Sequence, residues 1–389
     1  MTSDPLPTTA AAAPRLPRPL AGALLSNAVF GGITAVGVPV ALNAAGLAKV
    51  QIAVFFVVNA AIAIGYNTLL VPRIRRAGYP RSALLATSLA VPAGLLLVRA
   101  SGGHVLVLYL GGALMLFVST LVPQLFGRVA AQGRGDTQES SIARMRAVLI
   151  SGYILGLILY ALLAQAGLDP LLAAVAAAVL TTVCATGCPS TPAVEPEARV
   201  ASAAARPRLA LVFLAALALV ALLKSVDTLR AIYLPLFAVS SGVPAAHVPP
   251  VLLASAVLEL VALPALTRLS SARGSVLTLA VVALAGVLAF SILAGTQSYL
   301  ALLLSQAVYA VAAAGYQSIG LLLLERTSGG GPGAGASAYM AVVQIGTVLG
   351  ALLPLAVTGY DPRIFLLAVG LAAAALLLAV TLRLAGQRL

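Results

Sequence analysis

Runs of about twenty apolar residues follow one another along almost the whole chain, separated by short polar breaks. Each run is long enough to cross a hydrocarbon core ~30 Å thick as a helix rising ~1.5 Å per residue. Backbone in lipid must satisfy its own hydrogen bonds, which leaves helices and closed barrels. Barrel strands alternate polar and apolar residues. These runs are continuous, so the sequence predicts an all-α integral membrane protein. Composition points the same way: 61% of the residues are hydrophobic, 8% are charged and the mean hydropathy is +1.08, whereas about a quarter of a soluble domain is charged.

The runs predict twelve transmembrane helices, at residues 18–43, 47–71, 80–99, 103–127, 142–166, 169–187, 209–241, 246–267, 275–295, 298–324, 334–358 and 362–383. The longest polar connection divides them six and six. The expected organisation is a disordered tail (1–17), a six-helix half (18–187), a linker (188–208) and a second six-helix half (209–389). The Pro/Ala/Thr-rich tail cannot bury a core, and the run after it is too long for a signal-peptide core. Eighteen of the 23 basic residues then fall on one side, among them Arg73, Arg75, Arg76, Arg81, Arg268, Arg273, Arg326 and Arg383. Lys49, Arg99 and Arg363 fall on the other, and Lys224 and Arg230 lie within a span. Arginine-rich short loops face the cytoplasm, so both termini and the linker are expected there. The net charge of +13 is spread between apolar runs and forms no basic face, which argues against a nucleic-acid partner.

The two halves echo each other. Pro39, Gly46 and Gly78 recur 196 residues later as Pro235, Gly242 and Gly274. The pair Gly152 and Gly156 in span five recurs 194 residues later as Gly346 and Gly350 in span eleven. Matches in the same order on matching spans predict duplicated six-helix halves. Small residues four apart also suit close helix crossings.

Charge inside the spans is the sharpest functional signal. Lys224, Asp227 and Arg230 stand three apart in span seven, and at ~100° per residue they share one face. Ions within a bilayer face a cavity or one another. Asp227 neutralises one cation, and Glu259 in span eight is the expected partner of the other, paired with Lys224 or with Arg230. Two readings stay open: a buried network that holds spans seven and eight in register, or proton exchange at Asp227 or Glu259.

The spans also supply Asn27, Asn59, Asn67, Gln124, Gln306, Gln317 and Gln344, with Tyr153, Tyr233, Tyr309, Tyr316 and Tyr339. Amides that donate and accept, beside aromatic rings, suit sugar recognition, and equally suit interhelical hydrogen bonds. Tryptophan is absent. Cys184 and Cys188 have no further ligands in sequence reach and read as small packing residues, so neither metal nor cofactor is expected. His104 and His247 are isolated in loops, and "SGGGPGAG" joins no phosphate-binding lysine. A membrane-embedded transferase, which needs acid clusters, a metal or a catalytic histidine, is therefore disfavoured, and no catalytic residue is expected.

Five stretches carry a family likeness: "FFVVNAAIAIG" around Asn59, "STLVPQLFGRVA" with Pro123 and Gln124, "ARMRAVL" with Arg146, "YLPLF" in span seven and "LELVALPAL" with Glu259. Together, over roughly residues 20–385, they resemble the bacterial sugar efflux transporters of the major facilitator superfamily. The resemblance implies two pseudo-symmetric six-helix halves in the bacterial cytoplasmic (inner) membrane and a monomer. It also implies export of a sugar or sugar-like small molecule by alternating access; coupling to protons is the expectation that goes with proton exchange at Asp227 or Glu259. It puts substrate contacts at Asn59 and Gln124, and at Gln306 where the family has an asparagine. Asn27, Gln317, Tyr233 and Tyr309 complete the candidate set, and Arg146 and Gly78 are candidates for a cytoplasmic gate. The chain departs from the pattern in three places. The loop "VPRIRRAGYPRS" keeps Gly78 and lacks an acid; Gly156 is followed by Leu157 rather than proline; and span seven carries charges where members carry uncharged polar residues. An exporter of drugs or natural products is the alternative within the same fold.

Overall fold

A computed structural model describes residues 16–102, 104–132, 136–188, 207–295, 298–328 and 334–385. Most of the expected tail and linker lies outside the described residues. Among the described residues, eleven helices are long and apolar enough to cross a membrane, and a twelfth apolar helix, Pro170–Thr186, has 17 residues. In chain order they are α1 (Arg18–Ala44), α2 (Lys49–Arg76), α3 (Arg81–Ala100), α4 (Val105–Arg128), α5 (Asp136–Gln165) and α6 (Pro170–Thr186). The series continues with α7 (Pro207–Ser240), α8 (Val248–Arg273), α9 (Ser275–Gly295), α10 (Tyr299–Thr327), α11 (Ala334–Leu352) and α12 (Arg363–Leu384).

Three expected spans differ in detail. Helix α2 runs on to Arg76 through a π-helical stretch, Tyr66–Leu70. Helix α4 is broken after Met115 and restarts at Val118. Helix α11 ends at Leu352 and passes through the 3-10 turn Leu353–Ala356, because Pro354 cannot donate to the ladder. Elsewhere local chemistry sets the ends. The Asp169 carboxylate caps α6 by accepting from the Leu171 N–H at 2.9 Å, and the Ser298 hydroxyl caps α10 by accepting from the Ala301 N–H at 3.2 Å.

The packing is duplicated. Helix α1 lies against α5 and α6 as α7 lies against α11 and α12, and α3 meets α4 and α6 as α9 meets α10 and α12. The repeated glycines make the matching crossings. A Cβ on Gly156 would stand 3.0 Å from the Gly32 Cα, and one on Gly350 would stand 2.8 Å from the Thr228 Cβ and 3.0 Å from the Leu229 nitrogen. Between the halves, α1 touches α7, α2 touches α11, and α5 touches α8 and the turn Ala245–His247 before it.

Candidate functional site

Six helices, three from each half, surround a cavity of about 440 Å³, within the range typical of small-molecule sites. Asn27 and Gly31 enter from α1, Val118 and Val122 from α4, and Leu149, Ile150 and Tyr153 from α5. Opposite them stand Asp227, Arg230 and Ala231 of α7, Ser255 and Glu259 of α8, and Ala313 and Gln317 of α10. Ala313 is the central residue of α10, so the cavity sits near the middle of the bundle. One wall is apolar and built mainly by the first half. The other is polar and built mainly by the second.

The polar wall is organised around Asp227. Its Oδ2 accepts from Lys224 Nζ at 2.8 Å and from the Tyr316 hydroxyl at 2.7 Å; its Oδ1 accepts from the Tyr309 hydroxyl at 2.9 Å and lies 3.8 Å from Arg230 Nη1. The helical period explains this convergence. Lys224, Asp227 and Arg230 are successive steps along one face of α7, and Tyr309 and Tyr316 are two turns apart on one face of α10. Arg230 is itself held: its Nε donates to Gln306 Oε1 at 2.5 Å and its guanidinium lies 4.4 Å from the centre of the Tyr309 ring. The Gln317 amide donates to the Tyr316 hydroxyl at 3.2 Å, which ties a cavity residue to the same network. The side chains of Lys224, Asp227 and Arg230 are 18%, 14% and 11% exposed, so these contacts act in a poorly solvated place.

Asp227 thus pairs with a cation of its own helix, as the three-residue spacing predicts. The Lys224 ammonium meets Asp227, three residues along its own helix, and the Arg230 guanidinium meets Gln306 and Asp227. A lysine at i−3 reaches a carboxylate on its own helix without any tertiary adjustment. Glu259 lines the cavity that Asp227 and Arg230 also line, four residues after Ser255 on the same face of α8.

Of the other candidate residues, Asn27 and Gln317 line the cavity. Gln306 and Tyr309 are buried behind it and act on Arg230 and Asp227. Asn59 and Gln124 are buried and are not among the cavity-lining residues; the Gln124 amide donates to the Thr87 hydroxyl on α3 at 3.0 Å. The Tyr233 hydroxyl donates to the Ala351 carbonyl at 2.6 Å and joins α7 to α11. At the proposed gate, Gly78 has φ +76 in the turn after α2, and the side chain of Arg146 lies outside the described residues. Beside Gly78, the buried Arg128 donates to the Tyr79 carbonyl at 2.6 Å and to the Pro80 carbonyl at 3.2 Å. Burial raises the pKa of the Tyr79 phenol, against the opposing pull of Arg75 and Arg128.

Two contributors escape a reading by residue type. Ser255 is an ordinary helical serine until α8 turns it into the cavity. Lys49 is the other: its Nζ donates to three carbonyls of the opposite half, Pro354 at 2.7 Å, Val357 at 2.7 Å and Gly359 at 2.6 Å. It also lies 5.5 Å from the ring centre of Tyr233 and 5.8 Å from that of Tyr360. The carbonyls belong to the 3-10 turn and the loop that follow α11, where the helical ladder has ended. The available signal was composition: Lys49 and Lys224 are the only lysines among 23 basic residues. The Lys49 ammonium gathers three acceptors from several directions, which a planar guanidinium does poorly.

No protein-family model and no curated protein matches the chain. Solved structures do match its fold. A variant of the nucleoside transporter NupG is 14% identical, with a TM-score of 0.74 over 93% of this chain and 98% of that one. A variant of the peptide transporter POT, in complex with alafosfalin, is 14% identical with a TM-score of 0.75 over 95% and 94%. A POT family transporter in complex with 5-aminolevulinic acid is 11% identical with a TM-score of 0.73 over 94% and 94%. The chain thus has an all-helical, multi-pass membrane fold like that of these solved transporters. At these identities the likeness is one of fold.

Proposed function

We propose that the chain is a secondary active transporter that exports a small polar solute, sugar or sugar-like, across the bacterial cytoplasmic membrane by alternating access. The observation that carries this reading is the cavity walled by three helices of each half, with Asp227, Arg230 and Glu259 at its surface. A site shared by two rigid halves is exposed to one side or the other as they rock. Asn27, Ser255, Gln317 and Tyr153 supply the donors and acceptors that a hydroxylated solute needs. The Lys49 bonds support a state in which the ends of the halves on that side are joined.

In this reading Asp227 is the fixed anion of the site, since both of its oxygens already receive donors. Glu259 is the carboxylate that takes up and releases the coupling proton, and Arg230 neutralises it or an acidic group of the solute. Proteoliposomes with an imposed pH gradient and a panel of sugars test the reading. Glu259→Gln is expected to abolish pH-driven transport while the protein remains folded in the membrane.

A second reading, export of an amphipathic natural product, is favoured by the apolar wall of Val118, Val122, Leu149, Ile150 and Leu252. Uptake into inside-out vesicles separates the two: competition by sugars supports the first, competition by amphipathic compounds the second.

A further inference from the structure

At the arginine-rich end of the second half, α8 passes to α9 through a single residue. Gly274, at φ +91, reverses the chain between Arg273 and Ser275, so the free N–H groups that open α9 emerge beside the last turn of α8. Two more helix ends reach the same place. Arg326 Nη1, from the end of α10, donates to the Ser275 hydroxyl at 3.2 Å, and Arg383 Nη1, from the end of α12, donates to the Arg273 carbonyl at 3.2 Å. Between them lies a hollow of about 600 Å³ walled by Ser270, Ser271, Arg273, Gly274, Arg326 and Arg383. None of its described wall residues is acidic.

Three guanidiniums around one hollow repel one another, and no carboxylate stands among its described wall residues. Each carries five N–H donors in a planar fork, and the bonds from Arg326 to Ser275 and from Arg383 to Arg273 each come from Nη1. Such forks match the oxygens of a phosphate, and the start of α9 adds the partial positive charge of a helix N-terminus. The first half makes the contrast. There the arginine at the end of α4, Arg128, is fully buried and donates to the carbonyls beside Gly78. Its counterpart Arg326 is exposed and borders an open space.

The geometry points to a binding site for a phosphate group at this hollow, a group carried by anionic lipid headgroups or free as inorganic phosphate. It is independent of the transported solute. The test uses the purified full chain. Native mass spectrometry reads the lipid retained from mixed micelles of phosphatidylglycerol and phosphatidylcholine, and thermal melting reads a titration with inorganic phosphate. The triple variant Arg273→Gln, Arg326→Gln, Arg383→Gln is compared with Arg73→Gln, Arg75→Gln, Arg76→Gln, which removes as many charges from the first half. Wild type should retain phosphatidylglycerol over phosphatidylcholine, and only the first variant should lose this, at least ten-fold, with its helicity unchanged. Retention without a phosphate response assigns the headgroup as source; a saturable phosphate-induced rise in melting temperature, lost in the same variant, assigns the free anion. Equal retention of both lipids by wild type with no phosphate response, or equal loss in both variants, overturns the site.

Discussion

In the first six helices the glycines of α5 lie against α1, and in the last six the glycines of α11 lie against α7, at the same steps of the repeat. What these two frames carry is different. The first half contributes Asn27, Tyr153 and an apolar wall to the cavity, and buries Asn59 and Gln124 away from it. The second contributes Asp227, Arg230 and Glu259 to it, with Lys224, Tyr309 and Tyr316 holding Asp227. Backbone-to-backbone crossings tolerate no Cβ, so both copies keep their glycines. The side chains pointing between the halves are free to diverge, and the charge has gathered in one of them. A site with one charged and one neutral wall can hold a polar solute without stranding ions in lipid.

This contrast can be broken or sharpened by substitution. The largest effect is expected from Asp227→Asn. It leaves Lys224 and Arg230 together without their shared anion, and removing one partner of a buried pair costs about 3–5 kcal/mol. The melting temperature in detergent should fall by many degrees. Substituting Asn27 by alanine in the neutral wall should leave it nearly unchanged, and equal losses would show that the charge is no hub.

Next comes Lys49→Met, which removes three charge-assisted bonds to the turn and loop after α11. A loss of ~2 kcal/mol shifts the balance of open and closed forms by more than ten-fold. Spin labels at Val50 and Arg363 should report a longer distance in the variant, and Lys49→Arg should not restore the wild-type value. An unchanged distance distribution would show that the contact holds nothing closed.

Gly156→Ala and Gly350→Ala compare the two frames directly. Each should cost about 1–3 kcal/mol by overpacking, and the two values should agree within about 1 kcal/mol. A neutral substitution in one half alone would break the equivalence. The smallest effect is expected at the ion pair of Arg99 with Asp169 between α3 and α6, with side chains 39% and 35% exposed. Arg99→Ala should change stability by less than ~1 kcal/mol, as read from thermal melting.

The frame was legible because it depends on properties each residue shows by itself. Apolar run length gave the spans, the repeated glycines marked the crossings, and three-residue spacing put Lys224, Asp227 and Arg230 on one face. Partner choice was less legible, since it depends on how far helices rotate about their axes. Gln124 has the chemistry of a sugar contact, and in this structure it donates to Thr87 on α3. Gln306 looked like a ligand of solute and holds Arg230. Lys49 finds carbonyls about 300 residues away that are exposed only because α11 ends at a proline-containing turn. No local pattern around Lys49 announces that.

The most direct test of the central claim is transport by purified protein in proteoliposomes under an imposed pH gradient, wild type against Glu259→Gln. The account predicts gradient-dependent movement of a hydroxylated solute by wild type, and in the variant binding without gradient-driven movement. Full gradient-driven transport by Glu259→Gln would contradict it, because the carboxylate in the shared cavity would then play no part in coupling.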